Sequence, residues 1–246
     1  MKVGTGVVSK ESGELDLNIF RHLVEQVVAL RNKGMEVVIV TSGAVGAGKS
    51  VLTPKGINSE VIRKQVLAAV GQAKLMNIYA DLFSKHGYLC AQVLTTKQDF
   101  RDEEHYANMK NCFKALLMDS VVPIVNENDV VATTELMFTD NDELAGLVAT
   151  QLEADLFVIL TTSDGILDSD KKTIPEINLS NSASVSGHIT GEISAFGRGG
   201  MRSKFTIAKQ LAKNGIAVYI TNGKKKNALI HSIDGKAGGT YFAPVT

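Results

Sequence analysis

Tryptophan is absent from the sequence, cysteine occurs twice and proline four times, and Lys plus Arg and Asp plus Glu both total 26 in 246 residues. Two cysteines cannot build a disulfide framework, and Cys90 and Cys112 also lack the spacing of metal ligands. Each lies in an apolar pattern, LCAQVL and NCFKALL, so both are expected as buried thiols. The charge balance leaves no net field favouring nucleic acid or a membrane surface, and small polar ligands are the expected partners. The longest apolar runs, such as Val37 to Val40 and Leu156 to Leu160, fall far below the ~20 residues of a membrane-spanning helix, and the amino terminus has no signal-peptide core. A cytoplasmic location is expected. Repeats, heptads and long Pro or Gly/Ser tracts are missing as well, so residues 1–246 read as one domain. A chain of this length can bury roughly 70 to 75 % of its unfolded surface, enough for a full core.

What is present is an alternation of helical and extended patterns. Leu15 to Lys33 spaces Leu17, Phe20, Leu23, Val24, Val27 and Leu30 as one helix face and stops at Gly34. Glu36 to Val40 predicts a buried strand, Ile62 to Ser84 a helix, Leu89 to Thr95 a strand and Glu104 to Met118 a helix. Strand Val121 to Val125, helix Glu143 to Leu152 and strand Leu156 to Thr161 follow. After a weakly patterned, polar stretch from Ser163 to Gly200 come helix Met201 to Asn214, strand Ala217 to Thr221 and a short terminal helix and strand. The order predicts an α/β fold, a three-layer sandwich whose central, mostly parallel sheet is flanked by helices.

Directly behind the run Val121 to Val125 stand Glu127, Asp129, Glu135, Asp140, Asp142 and Glu143. Asn and Asp favour turns because their side chains satisfy nearby backbone groups, and one such cluster would mean only that. Here there are two, Asn126-Glu127-Asn128-Asp129 and Asp140-Asn141-Asp142, placed where an open α/β sheet binds ligands, at strand carboxyl ends. Four glycine-bearing turns could admit an anion: Lys2 to Gly6, Ser42-Gly43-Ala44, Ser163-Asp164-Gly165 and Gly197 to Lys204. The last opens a helix and brings Arg198, Arg202 and Lys204 to its anion-ready end. Gly43 to Ser50 also satisfies the P-loop pattern G-x-x-x-x-G-K-[ST]. A P-loop needs a sustained helix to start at Lys49-Ser50, however, and Pro54 and Gly56 break one almost at once. A P-loop NTPase is therefore disfavoured.

Taken together, K-V-G-T at the start, V-T-S-G-A-V near position 40, Q-V-L-A-A-V-G-Q, P-I-V-N-E-N-D-V-V, F-T-D-N-D-E-L-A and G-R-G-G-M-R-S-K resemble the amino acid kinase family and, within it, the glutamate 5-kinases. The resemblance implies ATP-dependent phosphorylation of the γ-carboxylate of L-glutamate, with Mg2+ bound through the nucleotide phosphates and no metal held by the protein alone. Lys2 and Lys204 resemble the family's catalytic lysines and Asp142 the acid that organises them. Ser42, Gly43, Asp129 and Asn141 match residues that hold glutamate. Lys2, Gly4, Thr161, Thr162, Arg198, Gly199, Gly200, Met201, Arg202, Ser203 and Lys204 match segments that hold ATP, with the amides of Gly4 and Gly43 facing the phosphates. By the same resemblance the amino-terminal part is mainly substrate-binding and the carboxyl-terminal part mainly ATP-binding. A homo-oligomer, dimer or tetramer, and feedback inhibition by proline are implied too. Only Met1 to Val3 are present for a first strand, which is expected to fray unless residues precede it. The chain stops at Thr246 without the PUA domain many glutamate 5-kinases carry, so RNA-like binding is not expected. Another carboxylate kinase of the family, acting on acetylglutamate or aspartate, and a non-catalytic sensor of amino acid or nucleotide stay open.

Overall fold

The computed structural model describes residues 1–132, 138, 140–178, 200–236 and 238–245. Its elements in chain order are β1 (Lys2–Val3), α1 (Thr5–Val8), α2 (Leu17–Arg31), β2 (Ile39–Val40), α3 (Ala44–Lys49), α4 (Glu60–Ser84), β3 (Cys90–Thr95), a 3-10 turn (Lys97–Phe100), α5 (Glu103–Met118), β4 (Val122–Glu127), α6 (Asn141–Gln151), β5 (Leu156–Thr161), β6 (Glu176–Ile177), α7 (Met201–Lys213), β7 (Ala217–Asn222), α8 (Ala228–Ile233) and β8 (Gly239–Phe242). They form two compact units, an amino-terminal one of Val8–Phe138 and a carboxyl-terminal one of Met1–Val7 with Thr139–Thr246.

In the amino-terminal unit the strands run in the order β3-β4-β2, all parallel. Helix α2 starts where the Asp16 carboxylate accepts from the amides of Asn18 and Ile19, and the chain leaves its end through Gly34 at φ 81°. Its buried face carries Phe20, Leu23, Val24, Val27 and Leu30, whereas Leu17, first of the expected stripe, is 54 % exposed in the opening turn. Helix α4 is capped by Ser59 and buries Leu67, Leu75, Tyr79 and Phe83, with the Tyr79 ring edge-on to Phe20 at 5.2 Å and its hydroxyl 2.9 Å from Thr41 Oγ1. Strand β2 is only Ile39–Val40 rather than Glu36 to Val40, while β4 runs on through Asn126 and Glu127 past the expected end at Val125. Both cysteines depart from expectation: Cys90 is half-buried on β3, and Cys112 is exposed because α5 buries only Phe113 and Leu117 beside it.

The glycine-rich segment after β2 forms the short helix α3, which crosses α4 with almost no separation. A Cβ on Gly71 would collide with the Ala44 carbonyl, and one on Gly48 with the Leu67 carbonyl. These glycines serve backbone packing. The P-loop geometry is likewise absent: Lys49 ends a helix instead of starting one, and the Ser50 hydroxyl turns back to donate to the Ala47 carbonyl at 2.7 Å.

In the carboxyl-terminal unit the strand order is β1-β5-β7-β8-β6, parallel except for β7 with β8. Strand β1 is short, yet it pairs Lys2 with Ile159 and Val3 with Leu160, and Val3 is fully buried, so the expected fraying is not seen. Strand β6 lies in the stretch that had no clear pattern, of which 179–199 are outside the described residues. The class is the expected one, α/β with mostly parallel strands.

Gly71→Ala is expected to lower stability by about 1–3 kcal/mol through overpacking at the helix crossing. Gly238→Ala, which faces open space, should stay within about 0.5 kcal/mol. Urea unfolding midpoints of the two variants decide the point, and equal midpoints would remove the packing role assigned to Gly71.

Candidate active site

The site of the carboxyl-terminal unit is built on the start of α6. Asp140 is in extended conformation, and its Oδ1 accepts from the amides of Asp142 at 2.8 Å and Glu143 at 3.0 Å. The turn-forming reading thus holds for Asp140, which caps the helix. The cap fixes Asn141 and Asp142 in the first turn and sends the Asp142 side chain inward, where it is wholly buried.

An isolated buried carboxylate costs several kcal/mol of lost solvation. Two ammonium groups offset that cost: Lys2 Nζ of β1 lies 2.7 Å from Oδ1, and Lys204 Nζ of α7 donates to Oδ2 at 3.0 Å. Both lysines are themselves buried, 5 % and 6 % exposed. Burial alone would raise the Asp142 pKa, but the charges of Lys2 and Lys204 outweigh it and hold the carboxyl below its ordinary value. The three groups sum to one net positive charge.

Lys204 stands in the first turn of α7, whose cap residue Gly200 supplies no side-chain hydrogen bond and whose first turn has no acid. Cations at a helix amino terminus oppose its dipole, so Arg202 and Lys204 there suit a site that receives an anion. The side chains diverge, however. Lys204 turns to Asp142, while Arg202 and Ser203 line a groove of about 550 Å³ between α6 and α7, with Glu143, Thr206 and Gln210. That groove contains neither ammonium. Met201 is half-buried, and Arg198 and Gly199 lie outside the described residues.

Gly4 lies beside this cluster, and a Cβ there would stand 3.7 Å from Lys2 Nζ. Its amide donates to the Leu160 carbonyl at 3.0 Å, so it extends the strand pairing and is not available to a phosphate, against expectation. At the carboxyl ends of β5 and β7, Thr161 is half-buried and Thr162 exposed. There Asp164 ties the two strand ends together, accepting from Asn222 Nδ2 at 2.9 Å and pairing with Lys225 at 2.8 Å. Lys225 and Asn222 hold the Asp164 carboxyl below its ordinary range.

In the amino-terminal unit, Ser42 is buried just beyond β2, and Gly43 adopts φ 108° to start α3. Beside them near the end of β4, Asn126 Nδ2 donates to Gln72 Oε1 at 3.0 Å, and Asn126 Oδ1 accepts from the Glu127 amide at 3.0 Å. Glu127 is buried in the strand and accepts the Phe138 amide at 2.8 Å, which makes it a brace of its own loop. Asp129 is half-buried in the turn that follows, held where the Asn128 amide donates to the Thr95 carbonyl at 2.8 Å. Glu135 lies outside the described residues.

The model of the Amino acid kinase family matches residues 1–222. The chain belongs to this family. Glutamate 5-kinase of Chlorobaculum tepidum is 48 % identical over 244 residues, covering 98 % of this chain and 68 % of that protein. Glutamate 5-kinase of Clostridium acetobutylicum is 37 % identical, covering 99 % of this chain and 93 % of that one. Several such relatives are longer, and the chain spans about two thirds of their length. Carbamate kinase from Giardia lamblia bound to AMP-PNP shares the fold at TM-score 0.69 and 17 % identity, over 99 % of this chain and 97 % of that one.

Within the family fold the structure brings Lys2, Asp142 and Lys204 together, and it sets Arg202 and Ser203 apart from them. Sequence reasoning missed Asn222 and Lys225; the signal was the Asn222-Gly223 turn after a strand whose parallel neighbour ends in Thr161. It quoted Gln72 at the end of Q-V-L-A-A-V-G-Q but gave it no role; its side chain meets Asn126 near the end of β4. Among the described residues no group of three or more His, Cys, Asp or Glu could hold a metal ion.

Asp142→Asn should cost about 3–5 kcal/mol at neutral pH, because two buried ammoniums lose their counter-charge. The depressed pKa of Asp142 means that its contribution is present above the unfolded-state value of about 3.9 and is lost as pH falls through the lower folded-state value. Urea unfolding from pH 7 to pH 3 should therefore show the gap between the native protein and Asp142→Asn narrowing below pH ~4. A gap independent of pH would contradict the ionised cluster.

Proposed function

We propose that this chain transfers the γ-phosphoryl group of ATP to the γ-carboxylate of L-glutamate, giving glutamyl 5-phosphate, the first step of proline biosynthesis. The observation that carries the reading is the buried Asp142 carboxylate holding two lysine ammoniums, in a chain 37–48 % identical to glutamate 5-kinases. The carboxylate acceptor is ionised at neutral pH and needs no general base. One of its oxygens forms a bond to the γ-phosphorus as the bond to the β,γ-bridging oxygen breaks, and the electron pair leaves with ADP. Such transfers ask the protein for position and for cationic charge around the three equatorial oxygens. Lys2 and Lys204 supply that charge, and Asp142 holds both amines at one place without neutralising the pair.

Ser42, Gly43, Asp129 and Asn141 hold glutamate in this reading. Asp129 pairs with the α-ammonium, and the Asn141 amide binds a carboxylate without repelling it. ATP falls to the segments around Thr161, Thr162 and Gly200 to Lys204, so that the carboxyl-terminal part is the nucleotide-binding one and the amino-terminal part the substrate-binding one. Magnesium bound with the nucleotide would offset the charge of its phosphates; among the described residues no group of three or more His, Cys, Asp or Glu could hold the ion by itself. A cytoplasmic, homo-oligomeric enzyme inhibited by proline completes the reading.

Lys204→Ala and Lys2→Ala should each lower turnover by about a hundred- to a thousandfold, as loss of one preorganised donor does. A hydroxamate assay with ATP, magnesium and glutamate measures this, and near-native turnover in both variants would defeat the proposal. Run with acetylglutamate, aspartate and carbamate, the same assay fixes the acceptor. A sensor would bind glutamate and form no acyl phosphate. Asp129→Ala should chiefly raise the KM for glutamate, and an unchanged KM would remove Asp129 from the substrate site.

A further inference from the structure

Gln72 is a long polar side chain on α4, only 8 % exposed, and it has no place in the roles assigned so far. One corner of its amide is used: Oε1 accepts from Asn126 Nδ2 at 3.0 Å. That bond, with Asn126 Oδ1 committed to the Glu127 amide, fixes which way both amides face. The other corner, Nε2, is buried and has no hydrogen-bond partner among the described residues. A buried donor left unsatisfied costs about as much as a lost hydrogen bond, so such a group normally has a partner in the working state.

The position of Gln72 narrows that partner. Its neighbour Gly71 is pressed against the Ala44 carbonyl at the start of α3, two residues beyond Ser42, and Asn126 is the next-to-last residue of β4, three before Asp129. Gln72 therefore sits in the layer formed by the carboxyl ends of β2 and β4. Resting on the glutamate reading above, we propose that Gln72 Nε2 donates to the α-carboxylate of the amino-acid substrate. The α-ammonium and α-carboxylate are borne by one carbon, so the group that takes the carboxylate belongs close to the carboxylate that takes the ammonium, and Gln72 shares this strand end with Asp129. An amide donor also suits the task electrically. It binds a carboxylate without adding a charge that would have to be buried beside Asp129.

Two substitutions separate this role from a merely structural one. Gln72→Glu keeps an acceptor toward Asn126 but replaces the donor with a charge that repels a carboxylate, whereas Gln72→Met removes both ends of the amide. If Nε2 binds substrate, both variants raise the KM for glutamate, Gln72→Met by about 10- to 100-fold and Gln72→Glu by more. In each, kcat and the KM for ATP should remain within about threefold of the native values. If Gln72 only braces Asn126, Gln72→Glu keeps a near-native KM while Gln72→Met does not, and that order overturns the proposal. So does a native KM in both variants. Failure of the native chain itself to phosphorylate glutamate would instead defeat the underlying assignment of function.

Discussion

The arrangement on which the carboxyl-terminal unit depends is one buried carboxylate shared by two ammonium groups. Asp142 has no exposure, and it receives Lys2 at 2.7 Å and Lys204 at 3.0 Å from opposite ends of the sequence. Each charge alone would be expensive to bury, and each is tolerated because the other two are present. The cluster is also unbalanced, two positive to one negative. An unbalanced buried cluster is a poor way to gain stability and a good way to keep positive charge ready for an anion that comes and goes.

Much of the local structure serves to bring those three groups to one point. Pairing of β1 with β5 places Lys2, the Asp140 cap places Asp142, and the first turn of α7 places Lys204. Gly4 belongs to the same scheme, since its amide completes the pairing with Leu160 and a Cβ there would press on the Leu160 carbonyl at 3.1 Å. In the amino-terminal unit glycine has a different duty. Gly48 and Gly71 let α3 and α4 touch backbone to backbone, which sets Ser42 and Gln72 against the end of β4.

The alternation of elements was legible because periodicity reports burial directly, and α2, α4, α5, β5 and α7 lie within a few residues of their expected bounds. The short elements were not. Strand β2 keeps two residues of an expected five, because its pairing and not its apolar run decides where the strand begins. Cys112 was misjudged because adjacency to Phe113 says nothing about helix face. At the site, the D-N-D cluster was recognisable as chemistry, yet its members divide between a cap and a charge centre, a distinction set by backbone angles. The segment Gly197 to Lys204 was read as one anion cradle, whereas successive residues of a helix point about 100° apart and, among its described residues 200–204, Lys204 alone turns to Asp142. Gln72 closes the motif Q-V-L-A-A-V-G-Q, yet its role was not legible there, because an orphaned donor exists only once its neighbours are in place.

The central claim is that the Lys2–Asp142–Lys204 cluster acts on the phosphoryl group in flight more than on the resting ligands. Rapid chemical quench of a single turnover in Lys204→Met, alongside calorimetric affinities for glutamate and nucleotide, tests it most directly. The account predicts affinities within about tenfold of native and a transfer rate lowered by at least about a hundredfold. A native transfer rate, or a loss confined to ligand affinity, would contradict it.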